Sequence, residues 1–325
     1  MKTSTGGLVI DRPETETTVK PATESRRRES KPAKESKIYI DGKFYSEANA
    51  KVSVFDHGLL YGDGVFEGIR FYNGRVFRLE DHLGRLWDSA RSICLEIPMS
   101  VRAMEEAVLQ TIRENDLREG YIRLIVTRGV GNLGLNPAQC NKPSVIIITA
   151  QIALYPESVY RNGLNVITCA SRRTNPASLN PAVKSLNYLN NVMARIEANL
   201  ASADEALMLN DEGYVAECTA DNVFILKKGQ LFTPPITAGA LRGITRSVAL
   251  EIASELGIKI HEISITRHDV FIADECFLTG TAAEVVPVIK ADGRKIGNGK
   301  PGPITTRLIA RFRELTRETG TPIYS

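Results

Sequence analysis

Lys184 stands between the apolar Val183 and Leu186, just before a helical repeat that begins near Asn187. Partial burial there would lower its pKa toward nucleophilic use, although a structural or surface lysine fits the same context. Leu241-Arg242-Gly243-Ile244-Thr245-Arg246 leads into a second helical repeat through a glycine. Such a turn offers free backbone N–H groups and a hydroxyl, which suit an anion site and equally an ordinary helix cap. Gly280-Thr281-Ala282-Ala283 follows a short strand with residues small enough for a ligand to approach the backbone, or for a plain tight turn. Glu217 lies in the polar segment from Tyr214 to Asn222, where a solvated turn is the alternative to a functional acid. Arg123 shares a strand face with Tyr121 and Ile125, from which it could hold a carboxylate bidentately or simply face solvent.

One motif fails on context. Gly129-Val-Gly131-Asn-Leu-Gly134 matches the dinucleotide fingerprint in its letters and follows a strand. Leu135-Asn136-Pro137 comes next and no helical period begins, so no helix N-terminus is expected there to meet a pyrophosphate.

Composition narrows the classes further. The chain has 325 residues, 43% of them apolar, enough to bury one large core or two ordinary ones. Its 41 Lys and Arg against 38 Asp and Glu leave +3, too near balance for a protein devoted to phosphodiester backbones, so nucleic acid is not an expected partner. The longest apolar run, Val145 to Tyr155, is broken by Thr149 and Gln151 and is roughly half of the ~20 residues that span a bilayer, so no membrane segment is expected. Cys94, Cys140, Cys169, Cys218 and Cys276 are odd in number and far apart, which fits neither a disulfide framework nor a zinc ribbon. The four histidines form no metal-ligand pair, and no metal site is assigned. With no apolar signal core near Met1, a reducing cytoplasm is the expected location.

The elements that must position these residues are legible in outline. Residues 1–36 hold almost nothing to bury and read as a disordered tail, with Arg26-Arg27-Arg28 balanced by Glu24 and Glu29. Hairpins are expected at Ile38 to Tyr45 around Asp41-Gly42, and at Ile69 to Phe77 around Asn73-Gly74. Leu79, Leu83, Leu86, Trp87, Ala90 and Ile93 recur at helical spacing, and a further helix is expected from Val101 to Asn115. Strands are predicted at Tyr121 to Thr127 and in the Val145 run, then a linker over residues 153–159. Beyond it come strands at Leu164 to Ser171, Glu205 to Leu209 and Val223 to Leu226. Helices are built on Leu189 to Leu200, on Ile244 to Leu256 with Gly257 past its end, and on Pro303 to Leu315. Strand and helix alternate too irregularly for a doubly wound sheet. The fold class is therefore α+β, with a smaller domain over residues 37–152 and a larger one over 160–325.

Taken together, these segments resemble the branched-chain amino acid aminotransferases among the D-amino-acid-aminotransferase-like (fold type IV) pyridoxal phosphate enzymes. The resemblance runs from about Ile38 to the C-terminus. It rests on Tyr61-Gly-Asp-Gly-Val-Phe-Glu-Gly68, His82-Leu-Gly-Arg85-Leu, Tyr121-Ile-Arg123, Lys184-Ser-Leu-Asn-Tyr188-Leu-Asn-Asn, Glu217 with Asp221-Asn222, Gly243-Ile-Thr-Arg246 and Gly280-Thr-Ala-Ala-Glu284. It implies a two-domain fold in which the larger domain is a pseudo-barrel, with pyridoxal 5′-phosphate as cofactor. Lys184 would hold the cofactor's aldehyde and move the proton, Glu217 would pair with the pyridine nitrogen, and Tyr188 with the phenolate oxygen. Arg85, Ile244, Thr245 and Thr281 would hold the phosphate. Tyr121 and Arg123 match a Tyr-x-Arg pair that marks L-branched-chain specificity and helps bind the α-carboxylate. Phe66, Gly68, Tyr155, Tyr188, Ala282 and Tyr61 would complete the substrate pocket with the Gly129 to Gly134 loop, some from a neighbouring subunit.

The implied activity is reversible, ping-pong amino transfer between leucine, isoleucine or valine and 2-oxoglutarate, giving L-glutamate, in a homodimer or larger homo-oligomer. D-amino acid transamination and an aminodeoxychorismate lyase share the fold, and Tyr121 with Arg123 speaks against both. A nicotinamide oxidoreductase has only the Gly129 loop in its favour. A non-catalytic binding protein is opposed by the intact Lys184, Glu217 and Arg85.

Overall fold

The computed structural model describes residues 35–152 and 155–324. The Arg26-Arg27-Arg28 run and nearly all of the expected tail lie outside the described residues, as do Ala153 and Leu154 of the expected linker.

Up to Ala150 the elements are β1 (Lys37–Ile40), β2 (Lys43–Ser46), α1 (His57–Tyr61), β3 (Gly64–Tyr72), β4 (Arg75–Val76), α2 (Leu79–Ser92), α3 (Val101–Glu114), β5 (Gly120–Thr127) and β6 (Ser144–Ala150). Then come α4 (Glu157–Asn162), β7 (Leu164–Thr168), α5 (Leu189–Leu200), β8 (Glu205–Leu209), β9 (Val215–Cys218), β10 (Asn222–Lys227), β11 (Gln230–Thr233), α6 (Ile244–Glu255) and β12 (Ile260–Glu262). The chain continues through α7 (Arg267–Phe271), β13 (Glu275–Gly280), β14 (Glu284–Ala291), β15 (Arg294–Lys295), α8 (Pro303–Glu318) and β16 (Thr321–Pro322).

The strands form a seven-stranded sheet, β16-β4-β3-β5-β6-β1-β2, and a nine-stranded one, β12-β11-β10-β13-β14-β7-β8-β9 with β15 beside β14. The smaller sheet draws on the first half of the chain except for β16, which returns to pair with β4. At the β3–β4 hairpin Asn73 and Gly74 take φ of 48° and 73°, the two positive values a tight hairpin turn requires.

Alternation along β5 sorts its residues. Ile122, Leu124 and Val126 point into a core shared with Leu83 and Leu86 of α2 and with Met104, Val108 and Ile112 of α3, while Tyr121 and Arg123 point the other way. In the larger sheet, Val223, Ile225, Leu278 and Val286 bury against one core, and Phe224 and Phe277 against another with Val248, Ile252, Leu308 and Phe312 of α6 and α8. Phe224 and Phe277 face each other across β10 and β13 as a stacked pair with centroids 4.8 Å apart. The segment read as a linker includes the start of α4, because Pro156 is extended at its N-cap and Glu157 opens a helical turn.

Within the apolar strand β3 one acid is completely buried. Glu67 takes bidentate bonds from Arg85 of α2, with Nε and Nη2 each 2.7 Å away, and His82 donates its Nδ1–H at 2.8 Å. Burial would raise the Glu67 pKa, but Arg85 and then His82 overcome it and hold the carboxyl at about 2. Burial lowers the pKa of His82 against the pull of Glu67. This cluster fixes α2 to β3 and aims Arg85.

Because the Glu67 carboxyl sits at about 2 in the fold and near 4.5 when free, the cluster stabilises the protein above about pH 4.5, and that stabilisation is lost as pH falls through about 2. Glu67→Gln leaves the largely buried Arg85 cation and the buried His82 without their carboxylate and should cost about 3–5 kcal/mol at pH 7, while flattening the acid limb of stability. Urea unfolding of both proteins between pH 7 and pH 3 measures both effects.

Candidate active site

A solvent-open cleft lies against the end of the larger sheet and brings together Arg85, Lys184, Tyr188, Glu217, Ile244, Thr245 and Thr281. Lys184 is carried by an extended segment between β7 and α5 that joins the backbone of β3. The Phe66 N–H donates to the Lys184 carbonyl at 3.0 Å, the Leu186 N–H to Gly64 at 2.9 Å, and Val65 bridges Ser185. Ser89 of α2 accepts the Lys184 N–H at 3.1 Å. The lysine side chain is thus anchored from the smaller sheet while it reaches into a cleft walled by the larger one. Its Nζ lies 3.0 Å from Tyr188 Oη and 4.6 Å above the Phe66 ring.

At one end of the cleft stands Glu217, on β9 and only 5% exposed, not in a solvated turn. Pairing with β8 (Met208 opposite Glu217) draws the segment into the sheet and removes it from water. Its Oε2 accepts the Leu241 N–H at 2.9 Å and Asn222 Nδ2 at 3.2 Å, and its Oε1 lies 2.9 Å from Arg173 Nε. Burial raises its pKa, opposed chiefly by Arg173. The neighbouring Asp221 is buried with its Oδ2 unpartnered, and burial together with Glu205 and Glu217 pushes it up to about 8.

At the other end α6 begins. Gly243 is its N-cap and supplies no side-chain cap, which leaves the first N–H groups of the helix, at Ile244 and Thr245, directed at the cleft. A side chain at Gly243 is excluded, because a Cβ would lie 2.0 Å from Asn222 Oδ1. Arg85 Nη1 donates to the Arg242 carbonyl at 2.8 Å, which brings a guanidinium to the same place. Thr281 closes this end from the turn after β13. Arg246, in the same sequence segment, is turned away and pairs with Glu262 at 2.7 Å. A buried acid at one end, an amine in the middle and uncapped N–H groups with a guanidinium at the other suit a flat, polar anion that carries a basic ring nitrogen.

The residues of β3 and β5 form an adjoining surface. Gly68 lies opposite Arg123, and a Cβ on Gly68 would lie 1.9 Å from Tyr121 Oη, so this glycine makes room for the phenol. The Arg123 guanidinium stacks on Phe66 (4.6 Å) and on Tyr121 (5.5 Å), not outward on a solvated face. Phe66 meets Tyr188 edge-on at 4.9 Å, which links this surface to Lys184. Ala282 follows Thr281 in the β13–β14 turn. Tyr155 packs on the larger-sheet core with burial raising its pKa, and Tyr61 sits on His57 with its hydroxyl donating to the Leu133 carbonyl; neither lines the cleft within this chain. The Gly129 to Gly134 loop is held by His57 N–H to Gly129 O (2.9 Å) and leads into a single 3-10 turn, with no helix for a dinucleotide.

Three contributors are not singled out by the sequence. Glu67 carries a signal, an acid amid Val65, Phe66 and Ile69 that demands a buried partner. Arg173 and Asn191 carry none: Arg173 lies just past the strand expected at Leu164 to Ser171, and Asn191 falls within the expected helix from Leu189 to Leu200.

A family model described as Amino-transferase class IV matches residues 64–291, from the first residue of β3 to the last of β14. A Methanocaldococcus jannaschii protein, whose name as a branched-chain-amino-acid aminotransferase is itself provisional, is 52% identical over 89% of this chain and 99% of its own. The Escherichia coli branched-chain amino acid aminotransferase superposes with a TM-score of 0.85 at 36% identity, over 87% of this chain and 95% of that one. The Thermobaculum terrenum enzyme of the same name, solved in its PLP-form, superposes with a TM-score of 0.81 at 32% identity, over 90% of this chain and 100% of that one. Alignments this complete, spanning both sheets and the cleft, leave one conclusion: the chain belongs to the class IV amino-transferase family.

Proposed function

We propose that this protein is a pyridoxal 5′-phosphate-dependent L-aminotransferase that moves the amino group between leucine, isoleucine or valine and 2-oxoglutarate, reversibly and in ping-pong fashion. The observation that carries the reading is the Lys184 amine, 3.0 Å from Tyr188 Oη, between a buried carboxylate and an uncapped helix N-terminus. The names of the relatives supply the substrate class.

Bound in the cleft, the cofactor supplies an aldehyde carbon that accepts an amino group and a ring that withdraws electrons. Arg85, the N–H groups of Ile244 and Thr245, and the Thr281 hydroxyl would hold its phosphate. Glu217 would keep a proton on the ring nitrogen, and Tyr188 would donate to the phenolate oxygen. Lys184 Nζ would take up and return the proton of the substrate's Cα. Arg123 and Tyr121 would bind the α-carboxylate, with Ala282 in the facing turn. Phe66 and Gly68 would contact the aliphatic side chain, and Tyr155, outside the cleft of its own chain, would do so only from a neighbouring subunit.

The working unit is read as at least a homodimer in the cytoplasm. Leu59 (65% exposed), Leu133 (68%) and Leu135 (77%) form apolar surface around Tyr61, whose hydroxyl is bonded to Leu133. A second subunit covering it would bring Tyr61 and the 129–134 loop to the neighbour's cleft. The described cysteines are all unpaired thiols, as a reducing compartment allows.

Purified protein should show a visible chromophore that shifts on adding L-leucine and not on adding D-alanine or aminodeoxychorismate. Lys184→Ala should abolish turnover; persistence of turnover in that variant refutes the assignment. Gly68→Ala should displace Tyr121 and lower kcat/KM for L-leucine by about tenfold or more with cofactor content unchanged, as steady-state kinetics and the absorbance ratio would show. Leu135→Asp should shift sedimentation toward the monomer and lower activity in parallel.

A further inference from the structure

Beneath Glu217, on the side away from the cleft, lies a charge that the reaction described so far does not use. Arg173 is 5% exposed, in the segment between β7 and α5. Its backbone N–H donates to the Leu209 carbonyl at 2.8 Å, which holds it beside β8. Its Nη1 donates to Asn190 Oδ1 (3.1 Å) and Asn191 Oδ1 (3.0 Å), both in the first turn of α5, and its Nε lies 2.9 Å from Glu217 Oε1. Those asparagines are themselves fixed: Asn190 Nδ2 donates to the Arg172 carbonyl and Asn191 Nδ2 to the Thr219 carbonyl. The guanidinium is therefore held by the helix whose N-cap is Tyr188.

A carboxylate offers about four acceptor positions, two on each oxygen. Both positions of Oε2 are taken, by Leu241 and Asn222, while Oε1 has the Arg173 guanidinium against it as an ion pair, 2.9 Å away and out of hydrogen-bond alignment. The open acceptor capacity is on the oxygen that Arg173 touches. We propose that Arg173 is a positioning residue of the reaction: it keeps Glu217 ionised and turned so that Oε1 offers its free lone pair to the ring nitrogen of the bound cofactor. This rests on the reading of Glu217 in the proposed function.

The need for such a cation follows from burial. Removal from water drives a carboxylate toward its neutral form, and a neutral acid cannot hold a proton on the ring. The other ionisable groups around Glu217 do not replace Arg173. Lys184 is committed to the centre of the cleft, Arg85 is paired with Glu67 and reaches the opposite end, and Asp221, Glu205 and Cys218 are acids. Arginine alone among side chains stays charged in such a place, which lysine does less reliably.

The test uses holoenzyme of Arg173→Gln, Arg173→Lys and Glu217→Gln, with Arg173→Met as substitute if the glutamine variant does not fold. The readout is the pH midpoint of the bound chromophore, alongside the kinetics of L-leucine. A ring nitrogen that loses its proton withdraws less charge from the lysine linkage, so that linkage binds its own proton more tightly. Arg173→Gln should therefore raise the chromophore midpoint by about one pH unit or more, a tenfold change in the equilibrium. It should also lower kcat about tenfold with KM within about threefold. Arg173→Lys should recover most of both. A packing role predicts equal losses of cofactor and melting temperature in Gln and Lys variants with the midpoint unmoved. A wild-type midpoint in Arg173→Gln, with a raised one in Glu217→Gln, overturns the proposal for Arg173 alone. A wild-type midpoint in Glu217→Gln overturns the assignment of Glu217, and the proposal for Arg173 with it.

Discussion

The cleft depends on a short stretch of backbone pairing. β4 is only two residues long and pairs with the end of β3, at Phe71 and Tyr72, so the opening residues of β3 are left without a neighbour on that side. Buried backbone donors and acceptors must be satisfied, and the segment around Lys184 satisfies them, through Gly64 and Phe66. A residue delivered from the larger half of the chain is thereby placed against the smaller sheet. The aromatic face of Phe66, the phenol of Tyr188 and the amine of Lys184 are consequences of that pairing, because all three are set within a few residues of it.

Charge burial is handled in the same manner at both ends of the cleft. Glu67 and Glu217 are almost completely shielded from water, and each faces an arginine within 3 Å. The two sites differ in what remains available. Glu67 is fully buried between Arg85 and His82 and serves to aim Arg85, whereas Glu217 lines the cleft itself.

Much of this architecture is legible in the order of the residues alone. The helices α2, α3 and α8 declare themselves by the recurrence of large apolar residues, and Asn73-Gly74 specifies its hairpin turn by local backbone preference. The short strands β9 and β11 are hidden because four residues carry too little periodicity; β9 pairs with β8 across residues 210–214, and its polar surroundings make Glu217 read as part of a turn. Lys184, Arg85 and Tyr188 are reachable only through the resemblance of several segments at once, since a lysine among many basic residues has no distinguishing local pattern. Arg173 is out of reach for a plainer reason: its burial is decided by Asn190, Asn191 and Glu217, and no property of its neighbours in sequence reports them.

The closing strand β16 adds a temporal dimension to this geometry. Six of the seven strands in its sheet are translated in the first half of the chain, yet β4 acquires its outer partner only from Thr321 and Pro322. A ribosome emitting this polypeptide must release nearly all of it before that edge is covered, and the Lys184 segment likewise arrives after β3. The nascent first half accordingly waits with uncovered hydrogen-bonding edges, a period in which chaperones, or a sister chain from the same polysome, would find it most adhesive.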